Sequence, residues 1–247
     1  MVFLENTSWI FIVLLPLVAF MYAAVGHGGA SGYLALMALF SFSPEIMKPT
    51  GLLLNLFVAG ISFYHFWKRG YFNFKLFIAF AISSIPLSFL GGQIDIDASL
   101  YKIILGILLI LAILKMMNIV GIEFNETKSI NIPLALVIGA CIGFFSGLIG
   151  IGGGIILTPV ILLLNWGEMK EVAAVSALFI WVNSAAGILG QWSSNIKFDQ
   201  NVWVLVTLAV VGGSFGAYAG SKYLNNKSLR KLLAFVLILA SIKLILF

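Results

Sequence analysis

The sequence predicts an all-α polytopic membrane protein of two homologous, inverted repeats, each a broken, re-entrant helix hairpin followed by three transmembrane helices. Three observations predict it. The first is composition: of 247 residues 62% are hydrophobic and 9% are charged, and mean hydropathy is +1.12, whereas a soluble domain carries about 25% charged residues. The second is a pair of glycine strings, Gly26-His27-Gly28-Gly29-Ala30 and Gly150-Ile151-Gly152-Gly153-Gly154, each interrupting an apolar run. Glycine weakens a helix and bares its backbone. In hydrocarbon such a break is tolerated only where the freed amides and carbonyls face protein or a watery cavity. The third is the placement of basic residues, taken up below.

The elements follow in order. Ser8 to Val25 is the first apolar run, and the Gly26–Gly29 break ends it. It holds Glu5 just ahead of it and no Lys or Arg, unlike a secretory signal, so it reads as a retained helix. Ala30 to Phe42 is short, and Pro44 and Pro49 bracket a turn. Thr50 to Trp67, Phe72 to Leu90 and Leu100 to Val120 are the next three runs, with Asp95 and Asp97 marking an acidic loop between the last two. A polar linker occupies residues 121–131 and separates a first repeat, 1–120, from a second, 132–247. In the second, Ile132 to Ile149 meets the Gly150–Gly154 break, and Ile155 to Trp166 is again short. Glu168, Lys170 and Glu171 form a loop. Ala173 to Trp192, Val202 to Tyr218 and Leu229 to Phe247 complete the set. A bilayer-spanning helix needs about 20 residues. The long runs qualify, and the 13- and 12-residue runs after the breaks do not.

The two halves align. Gly26, Gly28 and Gly29 match Gly150, Gly152 and Gly153 at a shift of 124, Thr50 matches Ser176 at 126, and Gly92 matches Gly220 at 128. Small residues recur at spacing four (Ala19 and Ala23; Gly139, Gly143 and Gly147; Gly212, Gly216 and Gly220), the spacing of one close-packed helix face.

Loop charge decides the orientation of the repeats. If each broken segment crosses the membrane once, the repeats are parallel and the 14 basic residues split seven and seven. If each is a hairpin, the repeats are inverted. Lys68, Arg69, Lys75, Lys115, Lys128, Lys170, Lys222, Lys227, Arg230 and Lys231 then share the inner face, leaving Lys48, Lys102, Lys197 and Lys243 outside. Ten against four obeys the positive-inside rule. Both chain ends are then outside.

Inverted repeats with discontinuous helices place a substrate site near the midplane, beside the breaks. Each helix after a break begins with amides that have no partner within the helix and carry about half a positive charge. Two such ends meeting would hold an anion without a charged side chain. Gly26, Gly28, Gly29, Gly150, Gly152, Gly153 and Gly154 are therefore candidate binding residues. Ser31 can cap the short helix or touch ligand. His27 can donate to the anion, titrate, or simply bond to backbone. Thr50, Asn55, Ser176 and Asn183 are polar residues inside spans, lining a path or bonding helix to helix. All nine acidic residues fall in loops or at run ends, which argues against a cation substrate. The pattern holds no catalytic, metal or cofactor motif, and the single cysteine, Cys141, makes no intrachain disulfide. The net charge of +5 sits in short loops, as topology demands, and does not point to nucleic acid. The partners expected are a small anionic substrate and the lipid bilayer; nothing in the pattern specifies an oligomeric state.

The string Gly147-Leu148-Ile149-Gly150-Ile151-Gly152-Gly153-Gly154-Ile155-Ile156-Leu157-Thr158-Pro159 closely resembles the sulfite exporter TauE/SafE family. Val25-Gly26-His27-Gly28-Gly29-Ala30-Ser31 resembles it more loosely, with Ala30 in place of a glycine and Ala35 where the second copy has Pro159. The resemblance implies a multi-pass transporter of a prokaryotic plasma membrane for sulfur-containing anions such as sulfite, thiosulfate or organosulfonates; export by alternating access, the anion bound between the two breaks, is the mechanism expected. An anion channel of the same architecture and a proton-coupled transporter of small organic anions are the alternatives.

Overall fold

The computed structural model describes residues 9–40, 42–94, 127–192, 202–229, 231–232 and 235. Among them stand eight helices with both ends described, and no strand. They are α1 (Trp9–Ala24), α2 (Ala30–Leu39), α3 (Pro44–Trp67), α4 (Phe74–Gln93), α5 (Ile132–Ile149), α6 (Gly154–Leu163), α7 (Met169–Trp192) and α8 (Val202–Lys222). The fifth apolar run, the acidic loop at Asp95 and Asp97, linker residues 121–126 and most of the last run lie outside the described residues.

Helices α3, α4, α5, α7 and α8 are long and apolar enough to cross a membrane. At 1.5 Å per residue the 24 residues of α3 and of α7 span about 36 Å. The 10 residues of α2 and of α6 reach only about 15 Å, half a hydrocarbon core. Side chains such as Val13, Leu17, Ile82, Phe89, Val137, Leu189 and Phe215 are apolar and exposed, as lipid-facing surfaces require.

Local sequence explains the helix starts. Asn73 and Asn131 are N-caps whose side chains accept from the amides of Leu76 and Leu134 at 3.0 and 3.1 Å. The turn expected between Pro44 and Pro49 is instead the opening of α3. Ser43 is the N-cap and Pro44 opens the helix, where its fixed φ and missing amide cost nothing. Pro49 forgoes a bond to the carbonyl of Glu45, a residue exposed at the helix end.

The core is built across the two halves. α3 and α7 pack on each other at the centre and are the most buried of the long helices. α4 of the first half lies on α5 of the second, and α8 of the second lies on α1 of the first. Both contacts are made by the small-residue faces. A methyl at Gly139, Gly143 or Gly147 would meet the backbone carbonyls of Phe80, Ser84 and Ser88 respectively. One at Gly212, Gly216 or Gly220 would meet those of Pro16, Phe20 and Ala24. Residue numbers rise together in each series, so both helix pairs run in the same direction.

Each short helix ends beside the start of the helix before it. Phe40, just past α2, meets Phe11 in the first turn of α1 with ring centroids 5.3 Å apart, and Phe42 stacks on Phe11 at the same distance. In the second half the amide of Lys128, ahead of α5, donates to the carbonyl of Asn165, just past α6, at 2.6 Å. At this second end Asn73 Nδ2 donates to Glu171 at 2.6 Å, Lys170 Nζ to Tyr71 Oη at 3.3 Å, and Arg69 Nε to Ser221 Oγ at 3.3 Å. Residues 68–75, 127–128, 165–171 and 221–226 thus share one end of the molecule, around an open cavity of about 810 Å³.

Candidate functional site

The two glycine strings meet in the centre. Gly29 and Gly153 are the N-caps of α2 and α6, with φ of +97° and +79°. A residue with a side chain pays about 1–2 kcal/mol for that left-handed conformation, which is why both short helices start from glycine. A methyl on Gly26 would strike the backbone of Ala173 at the start of α7. One on Gly150 would stand 2.9 Å from the carbonyl of Lys48 at the start of α3. Each tip therefore rests on the opening turns of the long helix from the opposite half.

Side chains fasten the tips together. His27 is 2% exposed; its Nε2 lies 3.0 Å from the Gly154 carbonyl and 3.1 Å from Thr158 Oγ1, and its Nδ1 lies 3.2 Å from the Val25 carbonyl. Thr158 Oγ1 is 2.7 Å from Ser176 Oγ. A polar chain thus runs from the first tip through α6 to α7. Asn55 of α3 is wedged between the tips: added methyls on Gly28 and Gly152 would both collide with its amide. Its Oδ1 accepts from the Ala30 amide at 3.0 Å, and its Nδ2 donates to Ser184 Oγ at 3.3 Å. Ile180 of α7 takes the mirrored place, meeting Gly28, Gly152 and Gly154.

The backbone at the tips is left with donors to spare. Among the described residues the amides of Gly28, Gly29, Ser31 and Gly32 in the first tip, and of Gly152, Gly153, Gly154 and Ile155 in the second, donate to no protein group. They are fully enclosed at two helix N-termini, where the backbone dipoles favour negative charge. Among the described residues the buried lysine is Lys48, whose carbonyl lies beside Gly150 and whose Nζ donates to the carbonyls of Gly92 and Ile94 at 3.2 and 2.9 Å.

Of the residues singled out in the sequence, the structure brings together Gly26, His27, Gly28, Gly29, Gly150, Gly152, Gly153, Gly154, Asn55 and Ser176. Ser31 Oγ donates to Tyr22 Oη at 3.0 Å, one turn behind the tip. Thr50 is buried in α3 next to Gly51, whose added methyl would stand 3.2 Å from the Gly150 carbonyl. Asn183 faces away: its Nδ2 donates to Ser84 Oγ and the Phe179 carbonyl at 3.1 and 2.8 Å, joining α7 to α4. Sequence reasoning missed Thr158, Ser184, Ile180 and Lys48. Thr158 stands inside the second motif and is legible there; Lys48 reads as a loop charge because Pro44 and Pro49 suggest a turn, where the structure has the opening of α3.

Similarity to known proteins bears on this architecture. The model of the family described as "Sulfite exporter TauE/SafE" matches residues 10–244. "Probable membrane transporter protein y4hK" of Sinorhizobium fredii is 40% identical over 92% of this chain and 94% of its own length. "Probable membrane transporter protein YunE" of Bacillus subtilis is 26% identical over 82% of this chain and 81% of its own. No solved structure matches the chain.

Proposed function

The chain belongs to the sulfite exporter TauE/SafE family, a multi-pass membrane transporter of the prokaryotic plasma membrane, and we propose from that premise that it exports small sulfur-containing anions, sulfite, thiosulfate or organosulfonates, by alternating access. The anion is held at the midplane between the two glycine tips. The single observation that carries this is the set of idle amides at the facing N-termini of α2 and α6. They are donors with no protein acceptor, in a place where water is scarce and an unmet donor costs about 1–3 kcal/mol.

The repeats are read as inverted and the broken segments as re-entrant hairpins. The returns of Phe40 to Phe11 and of Asn165 to Lys128 support the hairpins. The shared end that carries Lys68, Arg69, Lys128, Lys170 and Lys222 supports the inversion, since parallel repeats place 68–75 and 222–231 on opposite faces.

Export needs no coupling ion in this reading. With the inside negative by 100 mV, one exported charge gains about 2.3 kcal/mol and a dianion about 4.6, roughly three decades of concentration. Proteoliposomes loaded with labelled sulfite or an alkylsulfonate test it: efflux should follow an imposed potential and show counterflow. Single-channel current without counterflow would establish the channel instead.

One observation favours proton coupling as a second reading. Both ring nitrogens of His27 face backbone carbonyls, at 3.2 and 3.0 Å, and Nε2 also has the Thr158 hydroxyl 3.1 Å away, so the ring can switch between donating to Gly154 and accepting from Thr158. A neutral imidazole has one N–H to give and an imidazolium has two. Efflux that ignores potential and follows an imposed pH gradient would select this reading.

A further inference from the structure

We infer that the hydroxyls of Tyr33 and Ser146 are side-chain donors to the transported oxyanion, one at each tip. The inference rests on the anion site proposed above and adds to it two residues that neither motif nor repeat marks. Tyr33 lies in the first turn of α2 and is fully buried. Its side chain leans back toward the helix N-terminus, as helical side chains do, and its Oη stands 2.6 Å from the point where a methyl on Gly29 would sit. Ser146 lies in α5, also fully buried, with its Cβ 3.5 Å from the corresponding point on Gly153. Neither hydroxyl has a hydrogen-bond partner.

That combination is unusual. A buried hydroxyl nearly always finds an acceptor, and helical Ser can turn back to the carbonyl four residues earlier. Here two of them stay idle, each beside the N-cap glycine of a short helix whose first amides are idle as well. The two residues are not equivalent by the repeat: the counterpart of Tyr33 is Leu157 and that of Ser146 is Tyr22. The same arrangement of free amides plus one free hydroxyl has therefore been reached from different positions in the two halves, which duplication alone does not produce. Two neutral O–H donors on separate tips suit an anion that offers several oxygens in different directions, a sulfite or sulfonate, in preference to a single-atom halide.

The consequence separates a binding role from a structural one. A hydroxyl with no partner contributes nothing to the empty protein, so its removal leaves stability unchanged or slightly improved. Its hydrogen bond to an anion is charge-assisted, and loss of one such bond weakens binding about tenfold or more. Purified full-length protein, Tyr33→Phe and Ser146→Ala are compared by thermal unfolding without ligand and by equilibrium binding of sulfite and of methanesulfonate. The expected result is an unaltered unfolding midpoint for each variant, with the dissociation constant raised about tenfold or more in each and further in the double variant. If wild type binds these anions and both variants bind equally well, this inference falls while the tip site stands. If the midpoint drops together with binding, the hydroxyls are structural and the inference again falls. If wild type binds no oxyanion, this inference and the anion site fall together.

Discussion

Placing a carboxylate between the tips tests the sign of the substrate. Asn55→Asp keeps the size and shape of a fully buried side chain. It also keeps an acceptor for the Ala30 amide, 3.0 Å away, and Ser184 can rotate its hydroxyl to donate where it now accepts. Shape and bonding are thus preserved, and the new element is charge. An anion oxygen taken up by the amides next to Ala30 would sit about 5 Å from that carboxylate. Two like charges at 5 Å and an effective dielectric of about 20 repel by about 3 kcal/mol, roughly 200-fold in affinity. The assay is counterflow of an alkylsulfonate, whose charge is constant with pH, in proteoliposomes of matched protein content. Uptake should fall by about two decades, while Asn55→Gln, a bulkier neutral control, should impair transport through crowding and folding yield together. Transport by Asn55→Asp at the wild-type rate, with the protein folded, would refute both the sign of the substrate and its place between the tips.

Other outcomes follow from the packing. Gly143→Leu and Gly216→Leu drive side chains into the backbones of Ser84 and Phe20. Little folded protein should be recovered in detergent, whereas Gly70→Ala, at φ +77° with nothing within 4 Å, should cost only about 1–2 kcal/mol. Thr158→Val and Ser176→Ala each break the 2.7 Å bond between them; each should lower stability by about 1–2 kcal/mol, and the double variant should lose clearly less than the sum, read by chemical denaturation. Single cysteines at Gly70, Thr127 and Asn225, introduced with Cys141→Ser, should all react with a membrane-impermeant thiol reagent from the inner face only, because those three positions line one cavity. Labelling of position 225 from outside and 70 from inside would sink the inverted topology.

Much of this fold is legible in the sequence. Glycine strings mark both helix breaks, and the short helices fall where the apolar runs are too brief to span: 30–39 within the expected 30–42, and 154–163 against 155–166. Spacing of four announced the two packed faces. What it could not name was the surface each face meets, because Gly143 against Ser84 is a contact 59 residues apart in sequence and depends on how the halves interleave. The same holds for the two asparagines. Asn55 and Asn183 look alike in sequence, both polar in a long apolar helix, yet one side of the helix turns Asn55 into the site and Asn183 onto α4. What decides this is which neighbours surround each helix, Ser184 and the Ala30 amide at Asn55 and Ser84 at Asn183, and no local pattern records that. Tyr33 and Ser146 carry no pattern at all; what distinguishes them is a hydroxyl without a partner in a side chain beside an N-cap glycine.

The exchange of glycine-faced contacts between halves has a consequence for the timing of synthesis. α1 leaves the ribosome before α8, and the backbone it packs against, that of Gly212, Gly216 and Gly220, comes about 200 residues later. At 5–20 residues per second the delay is roughly 10–40 s. For that interval α1 lacks its final neighbour along the Pro16, Phe20 and Ala24 backbone. The nascent first half is in this sense a waiting partner, and its α1 contact is completed only when α8 arrives.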